Sequence, residues 1–273
     1  MTKTPRPTHP RRWATAALTT VTLAALPTLA GTRPPAPITL ASPNAKLWLA
    51  QSQGGEGGES GIAANASTDA AYLAELAIVE GHMLAAADLY ALGLNDQAVD
   101  LSLHPQQEGT LDTLRADIAA HNMPDPAQAI TAFTVAMQAE AAQTEVNTAL
   151  TAVSEVFAAD AAAEADQTRA RFDAVVLLVK AAAEEYNNAI ANGEVTDLMG
   201  WHEARSFIAI ARRDLQALAT IPLSAKAAPK ALTALDATTA VFGDPLATAP
   251  MAGDPQVLLG IAAKVELIAS SVR

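Results

Sequence analysis

Glu80, Gly81 and His82 lie within a run of residues that has helical periodicity. At about 100° per residue, Glu80 points within about 60° of the apolar stripe and His82 lies on the opposite flank. A buried carboxylate must find a proton, a cation or hydrogen bonds. Gly81 costs a helix interior roughly 1 kcal/mol relative to alanine, which predicts close approach by a neighbouring element. The alternative is a salt-bridged Glu80 with His82 at the surface.

A second group of potential ligands is formed by His104 and Glu108, which are four positions apart. This spacing brings the two side chains together on a helix that begins at or before His104. Imidazole and carboxylate ligands suit iron, zinc, copper or manganese. The alternative is a helix N-terminus that is capped at His104, with Glu108 stabilised by the helix dipole. Since one short helix separates the two groups, the sequence predicts a site for a divalent or ferric metal ion at His82, His104, Glu80 and Glu108.

The remaining histidines of the helical region have simpler explanations. His121 precedes Asn122 at a helix end, where a cation is favoured by the helix dipole. The segment Trp201-His202-Glu203 fits a surface histidine beside a packed tryptophan about as well as it fits a metal ligand. The basic cluster of the mature chain is expected to pair with acidic neighbours rather than bind an anion, and it consists of Arg205, Arg212 and Arg213.

The composition excludes several classes of function. The 273-residue chain has no cysteine, which rules out disulfides, thiolate zinc sites and thiol nucleophiles. Its formal net charge of −12 argues against a nucleic-acid partner. The G-x-S-x-G, H-E-x-x-H, Walker and G-x-G-x-x-G motifs are all missing from the sequence. A non-enzymatic role is therefore favoured.

The N-terminal segment has the pattern of an export signal. Residues 1–30 contain four basic and no acidic residues, an apolar stretch from Trp13 to Ala30, and the small-residue exit Thr28-Leu29-Ala30. An uncleaved membrane anchor is the alternative. Cleavage would lower the formal net charge of −12 by four, to −16. The sequence predicts a periplasmic or secreted protein with no membrane span after cleavage.

Three regions are expected along the chain. Residues 1–30 are the signal peptide, and residues 31–66 form a disordered linker rich in proline and glycine. Residues 67–273 form an all-α, multi-helix bundle, because their apolar content comes mainly from alanine, leucine and valine at helical spacing. Within it, Pro105 is expected to open a third helix, one long helix is expected from Ala127 towards Ala159, and no strand is expected.

Two stretches resemble known families. Residues 186–197 together with 201–207 are similar to a segment in the extracytoplasmic domain of FTR1-type iron permeases, although Trp201-His202-Glu203 replaces the Tyr-Glu pair found there. Residues 80–93 with His104, Pro105 and Glu108 resemble a family of exported helical proteins of proteobacteria. The resemblance implies an iron or other metal context in the cell envelope, and it does not identify a ligand.

Two functions follow as hypotheses. The first is a periplasmic protein that binds or delivers a metal ion such as iron. The second is a non-catalytic structural or protein-interaction module, with the linker setting its reach and an envelope protein as its partner. The proximity of His82 and His104 in the folded chain separates the two hypotheses.

Overall fold

The computed structural model describes residues 66, 68–107, 109–163, 167–244, 246 and 250–272. The predicted signal peptide and nearly all of the predicted linker lie outside these residues, and so does Glu108. The side chains of residues 159–163 are also outside the described part.

The described chain is a bundle of helices, as the sequence predicts. In chain order these are α1 (Thr68–Ala91), α2 (Asn95–Gln107), α3 (Thr110–Ala120), α4 (Ala127–Gln138), α5 (Gln143–Ala163), α6 (Thr168–Ala189), α7 (Leu198–Leu218), α8 (Ala228–Leu235), α9 (Thr239–Phe242) and α10 (Pro255–Ala269). A single 3₁₀ turn, Asp236–Thr238, joins α8 to α9. The all-α fold class is confirmed.

Helix α1 is the central element of the bundle. It packs against α2, α5, α6 and α7, and most of its residues are buried on every side. A helix that is apolar all round is stable only when it is surrounded. By length and composition α1 could also cross a membrane, yet 72% of its most apolar window is buried inside the bundle. Its apolar character is therefore accounted for by its place in the core.

The core consists of two clusters of buried side chains. One is built mainly from α6, α7, α8 and α10, with large residues such as Phe172, Tyr186 and Trp201. The other is built from α1 to α5, with Met83, Leu89 and others. Helix α1 contributes to both, since its Ile78 belongs to the first cluster.

Helix α2 differs from the expected boundary at His104. The helix continues through His104 and Pro105 to Gln107, and the next helix begins at Thr110. The prediction that Pro105 opens the third helix is therefore wrong. Proline in the last turn removes one backbone hydrogen bond without ending the helix at once, whereas Gly109, at φ 77°, supplies the actual break.

The single long helix expected from Ala127 to Ala159 is also wrong, because the chain forms a hairpin of α4 and α5. Glu140 takes a left-handed φ of 50°, the Glu140 N–H donates to the Met137 carbonyl, and the Ala141 N–H donates to the Ala136 carbonyl. These bonds satisfy carbonyls at the end of α4. A glutamate in this conformation is uncommon, so the local sequence gives no warning of it.

A short hairpin precedes α7, where no strand is expected from the sequence. Ile190–Ala191 (β1) pairs antiparallel with Glu194–Val195 (β2) across Asn192-Gly193. Both turn residues have positive φ, which is the conformation that an Asn-Gly pair favours in hairpins. Asp197 follows and caps α7, its carboxylate accepting from the backbone N–H groups of Met199 and Gly200. The hairpin and cap together set where α7 begins.

Candidate metal site

The side chain of His82 in α1 points into the bundle and is buried. The side chain of His82 is 2% exposed, and its Nδ1 lies 2.8 Å from the carbonyl oxygen of Ile78. A carbonyl can only accept, so Nδ1 carries a proton and donates it. In the neutral ring the Nε2 lone pair therefore points away from the helix backbone. The alternative of a surface His82 does not hold.

The Nε2 atom of His82 faces a carboxylate on α7. It lies 3.3 Å from Oε1 of Glu203, a residue that is itself only 6% exposed. With Nδ1 already donating, two electron-pair donors face each other here unless a proton or a cation lies between them. The pair is therefore suited either to a buried imidazolium–carboxylate interaction or to a shared metal ion.

His104 of α2 reaches the same carboxylate. Its Nδ1 is 3.7 Å from Oε1 of Glu203, and its ring centre is 6.0 Å from that of His82. The three ligand atoms all lie within 4.8 Å of one another. A tetrahedral metal with bonds near 2.1 Å would place its ligand atoms about 3.4 Å apart. Two imidazoles and one carboxylate at these separations thus fit one ion after small side-chain adjustments.

The contact between α1 and α7 that creates this arrangement depends on Gly81. A Cβ atom built at Gly81 would lie 2.3 Å from Cδ1 of Phe207. Only glycine allows the ring to come this close, as the sequence predicts for this position. The Phe207 ring in turn packs edge-on against the His82 ring, with centres 5.8 Å apart. Gly81 and Phe207 therefore bring His82 to Glu203.

Glu80 is held in a separate ion pair. It is 1% exposed, and its Oε1 accepts a 2.5 Å hydrogen bond from Nη1 of Arg213. Burial alone lowers the pKa of Arg213, but the hydrogen bond that it donates to Glu80 and the charge of Asp214 outweigh burial and raise that pKa above its ordinary value. The guanidinium therefore stays charged and compensates the buried carboxylate, which is the salt-bridge alternative considered for Glu80.

The other predicted ligand and the remaining histidines occupy different places. Glu108 lies outside the described residues, so its position relative to His104 stays a prediction. His202 is buried, and its Nδ1 lies 3.7 Å from Oδ2 of Asp88. His121 is the C-terminal cap of α3 and stacks on Tyr72 with ring centres 4.4 Å apart. Neither histidine belongs to the group of three ligand residues.

The three arginines of α7 pair with carboxylates, as expected. Arg205 makes a short hydrogen bond to Asp88, Arg212 donates to Asp236, and Arg213 donates to Glu80. The expectation that this cluster neutralises acidic neighbours is confirmed.

Glu203 is the residue of this candidate site that the sequence did not single out. It belongs to the segment Trp201-His202-Glu203, which is far from His82 in the sequence. The sequence nevertheless indicates that Glu203 is buried, because it lies on the same helical face, at i, i+4, i+7 spacing, as the apolar residues Phe207 and Ile210. A carboxylate within such a stripe is expected to be buried and to need a partner. The identity of that partner depends on the packing of α7 against α1.

Residues 161–267 match the family model of the iron permease-associated 4-helix bundle domain. The matched stretch is shorter than half of the chain and runs from the end of α5 into α10. It contains Glu203 but neither His82 nor His104. No curated protein and no solved structure gives a significant match. The predicted resemblance of residues 186–207 to this iron-permease segment is confirmed, and residues 161–267 are similar to the iron permease-associated 4-helix bundle domain.

Proposed function

We propose that the protein binds a metal ion such as iron through His82, His104 and Glu203. One observation carries the proposal: two imidazoles and a carboxylate from three different helices converge within 4.8 Å in a buried place. Bringing three such groups out of water costs free energy that an ion would offset. Three protein ligands leave at least one coordination position for water or for a ligand exchanged during delivery.

The choice of ion rests on ligand chemistry and on the family match. Imidazole with carboxylate suits iron, zinc, manganese and copper(II), and disfavours calcium and magnesium, which take oxygen ligands. The match of residues 161–267 to an iron permease-associated domain favours iron among these. Affinity in the test tube generally rises from manganese through iron to copper, so affinity alone does not identify the physiological ion.

We place this function in the cell envelope. The basic and apolar pattern of residues 1–30 supports export to the periplasm or beyond. The match to a domain associated with iron permeases is consistent with this address, because such permeases act at a membrane. An envelope protein as partner stays a prediction.

Metal titration of the purified protein tests the proposal. Calorimetry with Fe²⁺ under argon, and with Zn²⁺, Mn²⁺ and Cu²⁺, should show one ion per chain. Elemental analysis of protein isolated from the periplasm should identify the bound metal. Replacing a ligand, as in His82→Ala or Glu203→Gln, should weaken binding by more than about 100-fold, beyond the 10–100-fold typical of outer-shell partners.

Two matched variants separate this site from general effects on the fold. His121→Ala removes a histidine that stacks on Tyr72 and should leave affinity unchanged. Glu80→Gln tests the ligand predicted from sequence, and it should also keep full affinity because Glu80 is engaged by Arg213. Equal metal uptake by the wild type, His82→Ala and Glu203→Gln would contradict the proposed site.

A further inference from the structure

Helix α2 carries one of the three ligands but has little other contact with α7. It packs against α1, α3 and α4. On the α4 side, the hydroxyl of Thr134 donates to Oγ of Ser102 over 2.9 Å. Towards α7, the contact is made by His104, whose Nδ1 lies 3.7 Å from Oε1 of Glu203. An ion held by both would therefore strengthen a connection that helix packing leaves weak.

The other two ligands lie on a helix pair that is already in close contact. His82 and Glu203 are brought together by the packing of Gly81 against Phe207. They form a half-site that exists without any movement of α2. His104 is the most exposed of the three ligand residues, at 8% against 2% and 6%. The residue that α2 contributes is thus the least buried of the three.

Both ends of α2 are joined to the bundle through glycines in the left-handed region. Gly93 has φ 75° and Gly109 has φ 77°. A Cβ at either position would meet nothing within 4 Å, so packing does not require glycine there. The backbone conformation does, because only glycine takes it without steric cost. Glycine also reaches alternative backbone conformations most easily, which makes these two positions the natural joints for a movement of α2.

We infer that α2 is the lid of the metal site: binding of the ion draws His104 onto the half-site of His82 and Glu203, and release of the ion frees α2 from α7. The inference rests on the proposed function, because it assumes that an ion binds to these residues. It adds that metal occupancy controls the position of one helix, and that the ion enters and leaves beneath that helix.

Hydrogen–deuterium exchange with and without Zn²⁺, and with Fe²⁺ under argon, tests the inference. Metal should slow amide exchange in residues 95–107 by about 10-fold or more. Exchange through local opening in α10, which lies outside the site, should change little. The variant His104→Ala should still bind metal weakly through His82 and Glu203. At saturating metal it should show no added protection of α2, whereas His121→Ala should respond like the wild type.

The outcomes distinguish the two proposals. Metal binding by calorimetry together with selective protection of α2 supports both. Binding with no protection of α2, with equal protection throughout the bundle, or with α2 protected equally in His104→Ala, overturns the lid and leaves the metal site standing. No binding of any tested ion overturns the proposed function and the lid with it. Circular dichroism of each variant verifies that the helices are intact.

Discussion

His82 is oriented by its own helix, and this local bond has consequences for the chemistry of the site. Donation from Nδ1 to the Ile78 carbonyl leaves Nε2 as the atom that faces Glu203. Metal-binding histidines commonly donate their other ring nitrogen to a backbone carbonyl, which fixes the ring and its tautomer. In its neutral form the His82 ring therefore already directs Nε2 towards the place that the proposed ion would occupy.

Gly81 is the residue whose substitution should disturb both packing and binding. In Gly81→Ala, the new methyl group would overlap the Phe207 ring, which packs against His82. Overpacking of this kind costs about 1–3 kcal/mol. We expect a lower free energy of unfolding in urea and weaker metal binding by calorimetry.

Gly260 offers the matched control for Gly81. It lies within α10, and a Cβ there would meet nothing within 4 Å. Because alanine is a better helix former than glycine, Gly260→Ala should stabilise the protein by about 0.5–1 kcal/mol. An equal response of the free energy of unfolding to the two substitutions would show that Gly81 is not needed for close contact.

At the scale of elements, two carboxyl groups lie near each other where α1 faces α3. They belong to Glu75 of α1 and Asp117 of α3. Burial, and secondarily repulsion by Asp117 of α3, raises the pKa of Glu75 on α1 above its ordinary value of 4.5. Folding then favours the protonated form of Glu75. The stabilising contribution of this group is complete below the unfolded-state pKa and is lost as pH rises through the raised folded-state pKa.

Glu75→Gln should therefore stabilise the protein at pH 7, by about 0.5–1 kcal/mol, because the amide carries no charge to desolvate or repel. Urea unfolding at several pH values should show the gain at pH 7 and its disappearance near pH 4. Glu155→Gln, at an exposed position of α5, is the control and should change stability little at either pH. A gain in Glu75→Gln that is independent of pH would contradict the electrostatic cause.

The proposed movement of α2 would take place at its two ends. Helices α1 and α7 lock through Gly81 and Phe207, whereas α2 ends in a proline-containing turn and is flanked by Gly93 and Gly109. A helix with its own intact backbone bonds can shift as a unit when the change in φ and ψ is confined to its joints. The lid needs no unfolding of α2.

At the scale of the whole molecule, the proposed ion would connect the two core clusters. His104 belongs to a helix of the cluster built from α1 to α5, and Glu203 to a helix of the cluster built from α6, α7, α8 and α10. A ligand that binds only the folded state stabilises it by about 2.7 kcal/mol at 100 times its Kd.

Thermal unfolding should therefore depend on metal. For a domain of this size, about 2.7 kcal/mol corresponds to a rise in Tm of about 5–10 °C. Scanning calorimetry with added Fe²⁺ or Zn²⁺ should show this rise, and excess chelator should reverse it. Glu203→Gln should show no shift, and a shift as large as that of the wild type would place the ion elsewhere.

Much of the fold could be predicted from local signals in the sequence. Gly93 ends α1 and the residues after Asp197 begin α7, because a left-handed glycine and a capping carboxylate act within one turn of their own positions. The nearness of His82 and His104 could also be anticipated, since a tight turn at Gly93 brings α2 back along α1. These features depend on short stretches of chain.

Only the tertiary structure decided the rest. The left-handed Glu140 between α4 and α5 carries no glycine or proline signal, and it persists because the two helices pack on each other. Glu203 lies beside His82, and Glu80 accepts a hydrogen bond from Arg213, because α7 packs on α1 where Gly81 leaves room for the Phe207 ring. The residue types and their helical faces belong to the sequence. Which carboxylate meets which imidazole depends on contacts between distant helices, which local periodicity does not encode.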